Sequence, residues 1–466
     1  MHRLLAEIVE AKETGRRAAR SGPARASFRL RVKVKGSAVG ALGAPDGVVG
    51  REGTLRRDFL LPWAPRRGDL VVLDPAESRR FLAPRGVRRL APGGTGAPRV
   101  TSADTDGDGW PEDVFANAFA AGAVQPHRGA RLQSLVGRDG NDRFAQPMAH
   151  IMAGQYVLLG GAEVFLPDAG MPGEVWKAPF LRAVSKDAAE VAYSRKLSSP
   201  RGVTLTQTVR MEPGLPAVLV LATAAYAGRP TADEPDDDGA ESGRGGRKDT
   251  ADLGLGFRVS TPALGAVGSR NLFQIPSAGQ LVTVRFHRPA HGRRWRWRDW
   301  KDEFFRLAPG FVVSRNERDG NALVVLFGGG PAFVVVVRSD FEGPEIMLRG
   351  PRRTVAKGGR VSLGAAFLPA DAVAASGTSL LAVSLGRQRG GEMPAAVVLR
   401  TSRRAGSPVV TLSGSSGRGR AARLVRKEIP GAGVVRSAVV RLRATDLPVR
   451  FSVSVGGERL ACTVEE

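Results

Sequence analysis

Short segments in which apolar and polar residues alternate recur along the whole chain. FRLRVKVK puts Phe28, Leu30, Val32 and Val34 on one side and Arg29, Arg31, Lys33 and Lys35 on the other. That two-residue period marks a strand with one buried and one wetted face. GVTLTQTVRM repeats it with Val203, Leu205, Val209 and Met211, and PVRFSVSV with Val449, Phe451, Val453 and Val455. ALVVLF and AFVVVVR lack polar alternation and predict strands buried on both faces. Turn signals such as Asp139-Gly140 and Asp319-Gly320 fall between the segments. Helical spacing is confined to the N-terminus, where Leu4, Leu5, Ile8 and Val9 predict a short amphipathic helix within a basic tail over residues 1–26. The predicted class is all-β, built from antiparallel sandwiches.

Composition shifts divide the chain. A small β module with a Pro/Gly linker, LAPGGTGAPRV, is expected over 27–100, and a large central sandwich over 114–372. A C-terminal sandwich is expected over 373–466. The polar stretch GRPTADEPDDDGAESGRGGRKDTAD, 228–252, reads as a disordered insertion between two neighbouring strands. The Gly/Ser/Arg-rich stretch at 413–420 reads as a hairpin loop. No apolar run reaches about 18 residues, so no transmembrane helix is expected. The start lacks the apolar centre of a signal peptide, which leaves a cytoplasmic location or a start further upstream.

With 466 residues, 69 Lys and Arg and 45 Asp and Glu, the chain carries a formal +24. Such a charge favours anionic partners, but the basic residues are spread out and no nucleic-acid motif accompanies them. Codon bias toward Arg, Ala and Gly accounts for the same numbers, so drift and polyanion binding both stand. Cys462 is the sole cysteine, which excludes an intrachain disulfide.

Against this basic background TSADTDGDGWPEDV stands out. Asp104, Asp106 and Asp108 occupy alternate positions and Gly109 comes next, the first half of an EF-hand type of loop. Ca2+ takes six to eight hard oxygens, and a tight turn brings alternate carboxylates to one centre. The Trp110 carbonyl is the next expected ligand. Position 12 of such a loop is Phe115 here, so Glu112 or Asp113 must close a shorter loop spanning 101–113. The expected cofactor is a structural Ca2+.

The chain beyond this loop resembles the galactose mutarotase-like, or aldose 1-epimerase-like, β-supersandwich superfamily. The matching features are Ala116-Asn117-Ala118-Phe119, the turn and strand Pro126 to Leu132, Gly160-Gly161, and the strand and turn from Gly202 to Pro216. The resemblance covers about 110–370. It implies a large antiparallel sandwich and a carbohydrate ligand, with Arg131 on the binding strand. In epimerases a Glu base and a His acid open the sugar ring. No histidine here aligns with those positions, and the pair nearest to that role is His150 and Glu163, which bracket the Gly-Gly segment.

HGRRWRWRDWKDEFF places Trp295 and Trp297 on one side of an extended segment, with Trp300 beyond and arginines opposite. With Trp176, these rings are either a stacking platform for a sugar, including an anionic glycan, or simply part of the core. Three functions fit these residues: a non-catalytic carbohydrate-binding or scaffolding domain, an active epimerase or glycan-cleaving enzyme, and a polyanion binder.

Overall fold

The structure is a computed structural model. It describes residues 4–17, 25–37, 52–54, 59–61 and 70–72 of the N-terminal part. It describes most of 90–465, apart from 145–160, 167–180, 229–248, 261–269, 288–301, 338–344 and shorter breaks. Two compact units emerge: residues 1–89, 102–112 and 147–159 form one, and the remainder forms the other.

In the first unit the expected N-terminal helix is instead a strand, Leu4–Arg17. It pairs antiparallel with Arg25–Ser37, so that Ile8 faces Val32 and Ala11 faces Leu30. A strictly alternating neighbour offers a long ladder of backbone pairing, interrupted by three register shifts, and this tertiary pairing overrides a weak helical period of four apolar residues. Leu70–Val72, Glu52–Thr54 and Phe59–Leu61 complete this five-stranded sheet.

The second unit is all-β and consists mainly of four large sheets in layers. Among the described residues the front sheet has nine strands. Six of them, Glu112–Ala116, Ala121–Gln125, Arg131–Val136, Ala162–Phe165, Gly256–Ser260 and Glu345–Arg349, lie side by side in that order. The middle sheet, also of nine strands, is centred on Val203–Met211, Val218–Tyr226, Arg360–Ala370 and Ala322–Gly328. Phe115, Val124, Leu132, Val164, Phe257 and Val259 of the front sheet meet Val191, Leu205, Val209, Val220 and Phe367 of the middle one in a single core. Leu221 of the middle sheet, by contrast, is only half-buried, because Val218–Tyr226 alternates in its second half.

The C-terminal residues build a third sheet from Ala372–Ser376, Ser379–Leu385, Glu392–Arg400, Gly433–Arg443 and Val425–Ile429. A back sheet is formed by Arg420–Arg423, Val409–Ser413, Val449–Val455 and Glu458–Val464. Leu380, Ala382, Val398 and Val435 of the third sheet pack on Leu219, Val324, Leu326 and Leu368 of the middle sheet. The middle sheet is therefore covered on both faces, and every residue of Ala322–Gly328 is buried, as its unbroken apolar sequence requires. The other unbroken run, Ala332–Val337, is a strand whose side chains lie outside the described residues. Met393, Val397, Leu399, Phe451, Val453 and Leu460 fill the last layer. Cys462 sits there too, and burial pushes its thiol up to about 12, which leaves it protonated and unreactive.

Most of the insertion expected at 228–252 lies outside the described residues. The strand expected near Leu253 spans Thr250–Leu253 but pairs with Arg353–Ala356 in a separate two-stranded sheet, so the flanks of the insertion are not neighbouring strands. The hairpin expected around 413–420 joins Val409–Ser413 to Arg420–Arg423.

Candidate functional site

The interfaces between the four layers are filled with apolar side chains. The outward face of the front sheet differs. Because Leu132, Val164 and Val259 point to the core, their neighbours Arg131, Glu163 and Arg258 point the other way. Register then aligns them across strands: Gln125 lies opposite Arg131, Glu163 opposite Arg258, and Arg258 opposite Met347. Ala162 pairs with Leu132, which brings Glu163 beside Arg131 and joins the two halves into one lateral row.

The row is tied together and nearly dry. Arg131 donates from Nη2 to Gln125 Oε1 at 2.6 Å. Both residues are fully buried. Glu163 Oε1 lies 3.6 Å from Arg258 Nη1, with both side chains about nine-tenths buried. Desolvation of this degree strengthens each polar contact and makes the loss of one partner costly. The next row of the same face holds Phe165, Gly256 and Arg349. The Arg349 guanidinium stands 6.0 Å from the centre of the Phe165 ring. A Cβ on Gly256 would collide with that ring, so the glycine makes the notch in which Phe165 lies.

The turn that delivers Arg131 is strained. Gly129 and Ala130 both have positive φ, 70° and 50°. A left-handed alanine costs roughly 1–2 kcal/mol. Gln207, reaching from the middle sheet, holds it in place by donating to the Ala130 carbonyl at 2.5 Å. Asn117 fixes the preceding strand pair: its Oδ1 accepts from the N–H groups of Phe119 and Ala120, and its Nδ2 donates to the carbonyls of Glu212 and Leu215. This asparagine of the Ala116–Phe119 motif is thus a buried brace rather than a ligand contact.

The two carboxylates offered as closing groups of the calcium loop diverge. Asp113 turns toward the core and accepts from the Tyr193 hydroxyl at 2.8 Å. Glu112 folds back on the loop: its Oε2 accepts from the backbone N–H and hydroxyl of Thr105 at 2.7 and 2.8 Å. Asp104, Asp106, Asp108 and Trp110 lie outside the described residues, and among those described no cluster of three metal-binding side chains occurs. His150, Trp176, Trp295, Trp297 and Trp300 also lie outside them. Of the expected site residues, the structure brings Arg131 and Glu163 together. Gln125 and Arg258 were not legible, because a lone Gln or Arg within a strand gives no sign of which residue it will face across the sheet.

No family model matches the sequence, and no curated protein matches it. Among solved structures, a galactose mutarotase related enzyme from Lactobacillus acidophilus is similar over 55% of this chain and 97% of its own, with 10% identity and a TM-score of 0.37. A proposed aldose 1-epimerase from Klebsiella pneumoniae is similar over 56% and 80%, with 8% identity and a TM-score of 0.39. For a 4-alpha-glucanotransferase from Thermococcus litoralis the shares are 58% and 39%, with 10% identity and a TM-score of 0.34. Similarity this distant assigns no activity to the chain.

Proposed function

We propose that the central sandwich is a carbohydrate-binding or scaffolding domain, not an active epimerase, and that its ligand is held at the outward face of the front sheet. The observation that supports this is the row Gln125, Arg131, Glu163 and Arg258 beside the Phe165 ring. Arg258 and Glu163 keep about a tenth of their side-chain surface exposed beside the Phe165 ring, a combination suited to a sugar, while the fully buried Arg131 and Gln125 brace the row. Glu163 is committed to Arg258, and a carboxylate held in an ion pair is poorly placed to move a proton to or from substrate. The test is a glycan array with the wild type and Arg258→Met, alongside an NMR assay of glucose anomer interconversion. Binding by the wild type alone, with interconversion at the buffer rate, is the expected result. A rate above buffer would replace this reading with the enzymatic one.

The calcium loop is proposed as a structural staple at the start of the same sandwich. Asp104, Asp106, Asp108, the Trp110 carbonyl and Glu112 supply hard oxygens, and Glu112 already bends back to Thr105. Asp113 is left out of the proposed set because it is buried and its carboxylate is directed to Tyr193. A cation bound only by the folded state stabilises it by about 3 kcal/mol at a hundredfold excess over Kd. Chelation is therefore expected to lower Tm by a few degrees, and Asp106→Ala to abolish that response. A melting curve indifferent to chelator would remove calcium from the description.

A further inference from the structure

The C-terminal sandwich is disproportionately basic: residues 373–466 hold 15 Lys and Arg against 6 Asp and Glu. Its back sheet turns one face to the core through Val410, Leu412, Phe451, Val453, Leu460 and Cys462. The alternate residues form an outward face that, among the described residues, no other layer covers. One row across it runs Arg423, Val409, Ser454 and Arg459. A parallel row runs Ser413, Arg450 and Thr463, and between them Thr411 and Ser452 place their hydroxyl oxygens 2.7 Å apart. Arg423, Arg450 and Arg459 are all exposed, as are Thr411, Ser413, Ser454 and Thr463. No outward position within these paired strands is acidic, and Glu465 lies beyond the end of the last one.

From this we infer that the outward face of the back sheet binds an extended anionic polysaccharide. Strand spacing puts Arg423 and Arg459 about 14 Å apart across the sheet, and Arg450 lies about 13 Å along its strand from Ser454. A small anion cannot bridge cations so far apart, whereas a chain with repeating sulfate or carboxylate groups can. The hydroxyls between the arginines suit the neutral parts of such a chain. Single-stranded nucleic acid fits less well, because the face offers no aromatic ring on which a base could stack, and duplex DNA is the competing polyanion in the test. This face is independent of the sugar site on the front sheet, which uses different residues in a different layer.

Binding of dextran sulfate, unsulfated dextran and duplex DNA is to be measured on the full chain at low salt and at about 0.5 M salt. The wild type should bind dextran sulfate, lose it at high salt and ignore dextran. Arg450→Ser combined with Arg459→Ser should weaken dextran sulfate about tenfold while leaving Tm unchanged. Arg387→Ser combined with Arg389→Ser removes the same charge from an exposed loop of the third sheet and should leave affinity nearly intact. Equal losses in the two double variants would show diffuse attraction by net charge and overturn the site. So would the absence of wild-type binding, or duplex DNA bound as tightly as the sulfated glycan.

Discussion

Asn117→Leu is expected to cost roughly 4 kcal/mol or more in urea denaturation, and to lower the yield of soluble protein. The side chain is fully buried and serves two N–H groups and two carbonyls. Leucine is of similar size but satisfies none of them, and each orphaned buried group costs about 1–3 kcal/mol. Asn117→Asp is the informative companion. It keeps acceptance from Phe119 and Ala120 but sets a carboxylate oxygen against the Glu212 and Leu215 carbonyls. It should therefore be nearly as damaging at neutral pH and milder in acid, where a protonated carboxyl can donate. A loss below about 1 kcal/mol for the leucine variant would contradict the brace.

Gly161→Ala should be comparably severe for a different reason. Its φ is +72°, and a Cβ there would collide with the Leu132 carbonyl oxygen and lie 2.9 Å from Gln133 Cα. Both contacts are with backbone, so nothing can rotate aside. The strand Ala162–Phe165 would have to part from Arg131–Val136, which pulls Glu163 away from Arg131. Stability and sugar binding should fall together. Gly279→Ala separates crowding from backbone angle: its φ is +82° but nothing lies within 4 Å of the added carbon. That variant should lose only the left-handed penalty of roughly 1–2 kcal/mol. Equal losses at the two positions would mean that φ alone, and not the approach of Leu132, governs Gly161.

The fold class could be read from the chain because alternation is a local property. Val203, Leu205, Val209 and Met211 declare their face without knowledge of the partner strand. Leu4 to Val9 could not be read that way, since four apolar residues fit a helical stripe and a strand equally and the deciding neighbour starts at Arg25. Arg131 and Glu163 were legible as candidates through the resemblance of the segments that carry them. Their assembly with Gln125 and Arg258 was not, because it depends on register among strands far apart in sequence. The contact of Asp113 with Tyr193 was hidden for a related reason, since the two residues lie 80 positions apart.

The middle sheet also sets a timetable for synthesis. Val218–Tyr226 has one neighbour in Val203–Met211 as soon as it is made, but the other is Arg360–Ala370. At ribosomal rates of about 5–20 residues per second, the second edge stays unpartnered for on the order of ten seconds. Its apolar outward residues wait longer still, for the third sheet that covers them. During that interval an exposed strand edge is a template for other nascent chains. Output of this protein in a foreign host should accordingly be governed more by holdase supply and translation speed than by the stability of the finished fold.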